Sequence, residues 1–158
     1  MSFYPHNLSG TIYTPEDFKA KGDGATDDQA ALAYALNVLQ SAGGGTLLLG
    51  ANRNYRVSSG LVLPANTSLV GWGPSSILSS VTNAPIVSVG GEHSAISRCR
   101  ILGSTSAGTL QHGLLNGTLG VANSGFSHFS ADDLIINACG GHGQLCASAG
   151  SVAGLGAQ

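Results

Sequence analysis

The sequence predicts an all-β solenoid, a parallel β-helix with one α-helix near its N-terminus. Three observations predict it. A helical period is confined to about residues 27–40, and everything after Gly45 falls into short apolar runs broken by Gly, Asn, Ser or Pro. A short motif also recurs at a coil-like interval: Ser68-Leu69-Val70-Gly71, Arg100-Ile101-Leu102-Gly103 and Leu134-Ile135-Ile136-Asn137 each place an apolar pair before a turn residue. Aligned on Val70, Leu102 and Ile136, the spacings are 32 and 34 residues, long enough to hold further strands in each repeat.

Residues 1–15 are polar and aromatic with two prolines, and read as an extended arm. The helix follows. Thr26 and Gln29 have the T-x-x-Q spacing of a capping box, and Asp27 and Asp28 fall in the first turn, where carboxylates favour the positive end of the helix dipole. Leu32, Ala35, Leu36 and Leu39 form the apolar stripe, and Gly43-Gly44-Gly45 ends the helix. The runs "TLLLG", "GLVL", "TSLVG", "PIVSVGG", "AISRCRILG", "GLLNG" and "DDLIINACGG" are then strands of three to five apolar residues. Strands so short suit coils that stack on one another, and only Asn116-Gly117 has the chemistry of a tight hairpin turn, against an antiparallel sandwich. Residues 16–146 are read as the β-helix with its helix, and 147–158 as a flexible tail of small residues.

Charge is scarce and uneven. Only 9% of residues are charged, and residues 29–158 hold seven of the fourteen, a surface that fits a protein flanked by copies of itself or by other subunits. A net charge of −2 gives no electrostatic case for nucleic acid. No apolar run is long enough to cross a membrane, and the N-terminus has no basic segment leading into an apolar one. Cys99, Cys139 and Cys146 are odd in number and lack C-x-x-C spacing, so they read as core residues in a reducing compartment, without disulfide or zinc. No metal or other cofactor is expected.

The segments "FKAKGDGATDDQAALAYAL" and "GGGTLLLGANRNYRVSSGLVLPANTSLVGWG" resemble the N-terminal signature of the pectate-lyase-like right-handed β-helix superfamily. Phe18, the G-D-G-x-T-D-D run, Gly44-Gly45, Tyr55, Val57, Leu61, Leu63, Pro64, Leu69, Gly71 and Gly73 carry the resemblance over residues 18–73; residues 74–146 match in texture alone. The resemblance implies a right-handed β-helix whose N-terminal end is capped by the helix. It also implies a setting among bacteriophage tailspikes, capsule depolymerases and pectin-degrading enzymes, with the phage proteins nearest in character. The expectation is a virion protein, a tailspike or tail-fibre subunit or its N-terminal part, assembled in the host cytoplasm as a homotrimer beside other tail proteins and used for attachment to the host surface. The alternative is a polysaccharide depolymerase, lyase or glycoside hydrolase. With about four coils, the chain is expected either to be covered at its open end by another chain or to belong to a longer spike.

Candidate sites follow. Gly22, Asp23, Gly24, Thr26, Asp27, Asp28 and Gln29 match neither a calcium loop nor a phosphate loop and read as a turn and helix cap. Asp132 and Asp133 are the one acidic pair in the coil region and weak candidates for catalysis: on a strand they would point to opposite faces, so that one at most reaches a given groove, with its second carboxylate from a neighbouring chain, and the favoured reading is a corner, an Asp at a turn bonding its own backbone. Arg98 and Arg100 flank Cys99 and should share the face opposite to it, binding an anionic sugar or standing in solvent. Trp72 and Tyr55 could stack on carbohydrate, but their place beside the helix favours packing. The histidines His6, His93, His112, His128 and His142 lack metal-ligand spacing and read as surface or stacked turn residues.

Overall fold

In the computed structural model, which describes residues 10–117, 125–126, 128–141 and 144–146, every paired strand is parallel to its neighbour. The first described residues of the arm form β1 (Thr11–Tyr13), followed by a 3-10 turn at Pro15–Phe18. Strand β2 (Asp23–Asp27), helix α1 (Gln29–Ser41), β3 (Gly45–Leu48), β4 (Arg53–Arg56) and β5 (Leu61–Leu63) come next. After them run β6 (Thr67–Val70), β7 (Ser76–Ser79), β8 (Val87–Val89), β9 (Ala95–Leu102), β10 (Leu114–Asn116), β11 (Ser130–Asn137) and β12 (Gln144–Cys146).

From β3 onward the chain visits three ladders in a fixed rotation. The first joins β1, β3, β6 and the first halves of β9 and β11; the second joins β2, β4, β7 and their second halves; the third joins β5, β8, β10 and β12. Each full round therefore adds one strand to every ladder, and like positions stack. Leu47, Leu69 and Ile96 form one buried column, Tyr55, Leu78 and Ile101 a second, and Leu61, Val87 and Leu114 a third. Each such side chain contributes about 1.5–3 kcal/mol through burial. Leu32, Ala35, Leu36 and Leu39, the stripe expected from the sequence, are the buried face of α1, which packs against β3, β5 and β6. The architecture is thus mostly parallel sheet with one helix.

Two expectations change. The helix begins at Gln29 rather than 27, because Asp27 still belongs to β2, paired with Arg56. The register of the repeat differs: Val70 stacks on Ser97, while Ile136 stacks on Ile101, so Val70 and Leu102 lie in different ladders. The rounds vary in length because their connections do, and a single spacing cannot align them. As the parallel reading requires, Asn116-Gly117 makes no hairpin, and β10 pairs in parallel with both β8 and β12. The tail, residues 147–158, lies outside the described residues.

Candidate functional site

The chain's densest run of acids is engaged in its own backbone. Asp23 accepts hydrogen bonds from the Ala25 and Thr26 amides (2.9 and 2.7 Å) and from the Thr26 hydroxyl (2.8 Å). These donors hold its carboxyl at about 2, below the ordinary 3.8. The buried Asp28 accepts from the Lys21 and Gly22 amides at 2.7 and 2.9 Å. Asp27 is held below its usual range, chiefly by the Ser58 hydroxyl. The expected capping box does not form. Thr26 is taken by Asp23, Asp28 occupies the N-cap position, and Gln29 reaches across instead: its amide donates to the Gly60 carbonyl (2.7 Å) and accepts from the Ser59 amide (3.3 Å). The loop acts as a clasp between α1 and the next round.

A second charged region forms where the chain turns from the first ladder into the second. This corner takes residues 49–52 after β3 and 71–75 after β6, but in β9 and β11 it shrinks to one residue each, Arg98 and Asp133. Both adopt the left-handed conformation, with φ of 55° and 49°. For a residue with a side chain this costs about 1–2 kcal/mol. In β11, Asp132 stands opposite Ser97, and Ile135 opposite Arg100. The structure therefore brings the two candidate pairs, Asp132/Asp133 and Arg98/Arg100, onto adjacent strands at one corner.

The expectation for two neighbours on a strand fails here. A left-handed residue suspends the alternation of faces along a strand, so Asp132 and Asp133 are both exposed instead of opposed. Arg98 sits at the bend and Arg100 on the outer face of the second ladder between Ile77 and Ile135, with the buried Cys99 between them. Among the described residues, no ion pair within 4.0 Å joins either arginine to either aspartate. The Arg100 Nε is buried and makes no hydrogen bond. Cys99, between the arginines, is a core residue: burial, reinforced by the Asp133 charge, pushes its thiol up to about 12, so it is no nucleophile.

Trp72 completes the corner. Tyr55 is fully buried, as expected, with its hydroxyl donating to Glu16 (2.6 Å) and accepting from the Gly50 amide (2.9 Å). Trp72 departs from that expectation with 51% of its surface exposed. Its amide donates to Ser76 Oγ (2.9 Å), which donates to the Gly50 carbonyl (2.9 Å). Its two glycine neighbours meet the Arg98 bend: the Gly73 amide donates to the Arg98 carbonyl at 2.7 Å, and a Cβ on Gly71 would lie 2.3 Å from that oxygen. Gly71 and Gly73 thus let the Arg98 corner close against the segment that presents the indole. Trp72, Arg98, Asp132 and Asp133 lie along one ridge, the corner of three successive rounds, with Arg100 two residues beyond the bend on the second ladder. The sequence marked the acidic pair as a corner, but a one-residue left-handed bend at Arg98 reads as unbroken strand.

Elsewhere, His93 and His128 stack at 4.6 Å, with His128 3.5 Å from Glu92; His112 is buried, and His6 and His142 lie outside the described residues. Among the described residues no cluster of three or more His, Cys, Asp or Glu could hold a metal.

No protein-family model matches the chain. It is similar to alginate lyase 7 of Azotobacter vinelandii, with 43% identity over 68 residues, 39% of this chain and 8% of that protein. It is also similar to a capsule KN3-specific depolymerase of Klebsiella phage KN3-1, with 49% identity over 47 residues, 30% of this chain and 6% of that protein. Among solved structures, the A-module of the A. vinelandii mannuronan C-5 epimerase AlgE6 superposes with a TM-score of 0.74 and 26% identity, over 85% of this chain and 40% of that one. ORF18 of Geobacillus virus E2 superposes with a TM-score of 0.66 and 23% identity, over 84% and 27%. The fold, mostly parallel sheet with one helix, is shared with these β-helix neighbours. The chain spans less than a tenth of these curated relatives and less than half of these two solved structures.

Proposed function

We propose that the chain is part of a phage-type protein that engages polysaccharide through the ridge of Trp72, Arg98, Arg100, Asp132 and Asp133. The three ladders are the walls of a right-handed β-helix, and α1 closes its N-terminal end. The protein works in the virion as a tailspike or tail-fibre subunit, as a homotrimer beside other tail proteins, and its task is attachment to the host surface.

The observation that carries this reading is the half-exposed Trp72 on the same rigid corner as Arg98. A flat apolar ring offers a stacking face to a sugar ring, while a guanidinium donates in paired fashion to a carboxylate and carboxylates accept from hydroxyls. The names of the relatives, an alginate lyase, mannuronan epimerases and phage capsule depolymerases, support a carbohydrate ligand that includes acidic polymers.

Those same names favour a second reading, in which the ridge also cleaves the polymer, with Asp132 or Asp133 joined by a carboxylate from a neighbouring chain. One experiment serves both. The protein is run by affinity electrophoresis through gels containing alginate or purified Klebsiella capsule, and the same mixtures are assayed for reducing ends and unsaturated uronates. Retardation without products supports attachment, and retardation with products supports the depolymerase. Equal mobility in all gels contradicts both.

A further inference from the structure

The ridge carries its charge in a fixed order along the molecule. At the corner between the first and second ladders, residues 49–52 and 71–75 contain no Asp, Glu, Lys or Arg, and Trp72 stands in the second of these segments. The next round places Arg98 at the corner, and the round after it places Asp132 and Asp133 there. Asp133 is in register with Arg98, since the pairs on either side of it are Asp132 with Ser97 and Leu134 with Cys99. From one round to the next, the corner turns from aromatic to cationic to anionic.

The cationic step is one round deep. Arg53 is neutralised by Glu16 at 3.7 Å and donates to the Lys21 carbonyl (3.1 Å), while Arg56 donates to the Ala25 carbonyl (3.4 Å) and acts on the Asp27 carboxylate. Arg98 and Arg100, both on β9, make no ion pair within 4.0 Å among the described residues. Their positive charge is uncommitted within the described fold.

Parallel rounds stack about 4.8 Å apart, close to the advance of a polysaccharide chain per sugar. A polymer lying along the ridge therefore sets one sugar against each step. We propose that the ridge selects a polymer of mixed repeat, with an acidic sugar facing Arg98 and Arg100 and a sugar without acid facing Asp132 and Asp133. This rests on the reading of the ridge as a polysaccharide site and adds the kind of repeat it takes. A carboxylate at the arginines gains charge-assisted hydrogen bonds. The same group one sugar further on meets two exposed carboxylates and is repelled, whereas sugar hydroxyls donate to them. The Trp72 step has no charge of its own and accepts the face of either sugar. A polymer with an acid on every sugar is thus disfavoured, and a neutral one leaves the arginines unused.

The test holds the backbone constant and varies its charge. Oligomannuronate, the same oligomers with part of their carboxylates reduced to primary alcohols, and the fully reduced form are each titrated calorimetrically into the full chain. The expected result is that the partly reduced oligomers bind at least fivefold tighter than either end of the series. Asp132→Asn/Asp133→Asn, in which asparagine tolerates the left-handed backbone at 133, gains at least tenfold in affinity for intact oligomannuronate. Asp132→Asn alone, outside the bend, gains by a smaller factor and serves where the pair disturbs folding. Intact oligomannuronate that binds as tightly as the partly reduced form, or folded Asn variants that gain nothing for it, overturns the proposal. The ridge reading survives that result where Trp72→Ala still abolishes binding. It fails as well where Trp72→Ala binds the whole series as the wild type does.

Discussion

Between Ala20 and Asp28 the carboxylates of Asp23 and Asp28 are closed around backbone amides, and the loop joins α1 to the round that follows it. At the corner of β9 and β11, Arg98 and Asp133 occupy strained backbone, Asp132 and Asp133 are exposed, and no ion pair within 4.0 Å links the four charged groups among the described residues. Charge density is similar in the two regions; what differs is whether the charge has a partner within the fold. The clasp holds the molecule together, and the corner is held in place by its surroundings, with its two carboxylates exposed. Strain maintained in that way is a common mark of a functional position.

The largest expected effect breaks the clasp. Asp28→Ala leaves the Lys21 and Gly22 amides without their acceptor, one of them buried, and lowers unfolding stability by about 3 kcal/mol in urea denaturation. The opposite sign is expected at the corner. Arg98→Gly removes the left-handed penalty and, after the entropic cost of glycine, raises stability by about 0.5–1 kcal/mol; Arg98→Ala, which keeps a Cβ, brings no such gain. The pair of results distinguishes a region selected for stability from one that sacrifices some.

The smallest effect is one of pH. Asp23 has a carboxyl near 2 when folded and 3.8 ordinarily, so the unfolded chain takes up the proton first as the solution is acidified. Its contribution is present in full above 3.8 and is lost as pH falls through that value toward about 2. The urea midpoint of the wild type should therefore drop across this window, and Asp23→Asn should flatten part of the slope. Because Asp23 is exposed, the change is modest.

Local patterns in the sequence carried much of this fold. The stripe Leu32, Ala35, Leu36 and Leu39 could only be one face of a helix, and the short runs punctuated by glycine could only be brief strands. What escaped depended on partners distant in sequence or on backbone angles that residue type does not announce. Thr26 and Gln29 have capping-box spacing, but Asp23 takes the threonine and Gly60 the glutamine amide. Asp132 and Asp133 read as a corner, but Arg98 read as a mid-strand residue, so the stacking of both candidate pairs at one bend was not legible, nor was the register of the rounds. Trp72 read as packed because of its place beside the helix; in the structure it is half-exposed, on the segment whose Gly71 and Gly73 meet the Arg98 bend.

The central claim, that the clasp is structural and the corner is where polysaccharide binds, is tested most directly by titration calorimetry. Alginate and capsular polysaccharide oligomers are titrated into the wild type, Asp23→Asn and the double variant Trp72→Ala/Arg98→Gly. The account predicts wild-type affinity for Asp23→Asn and at least a tenfold loss, about 1.4 kcal/mol, for the folded double variant. A double variant that binds as the wild type does, or an Asp23→Asn protein that loses binding while remaining folded, would contradict it.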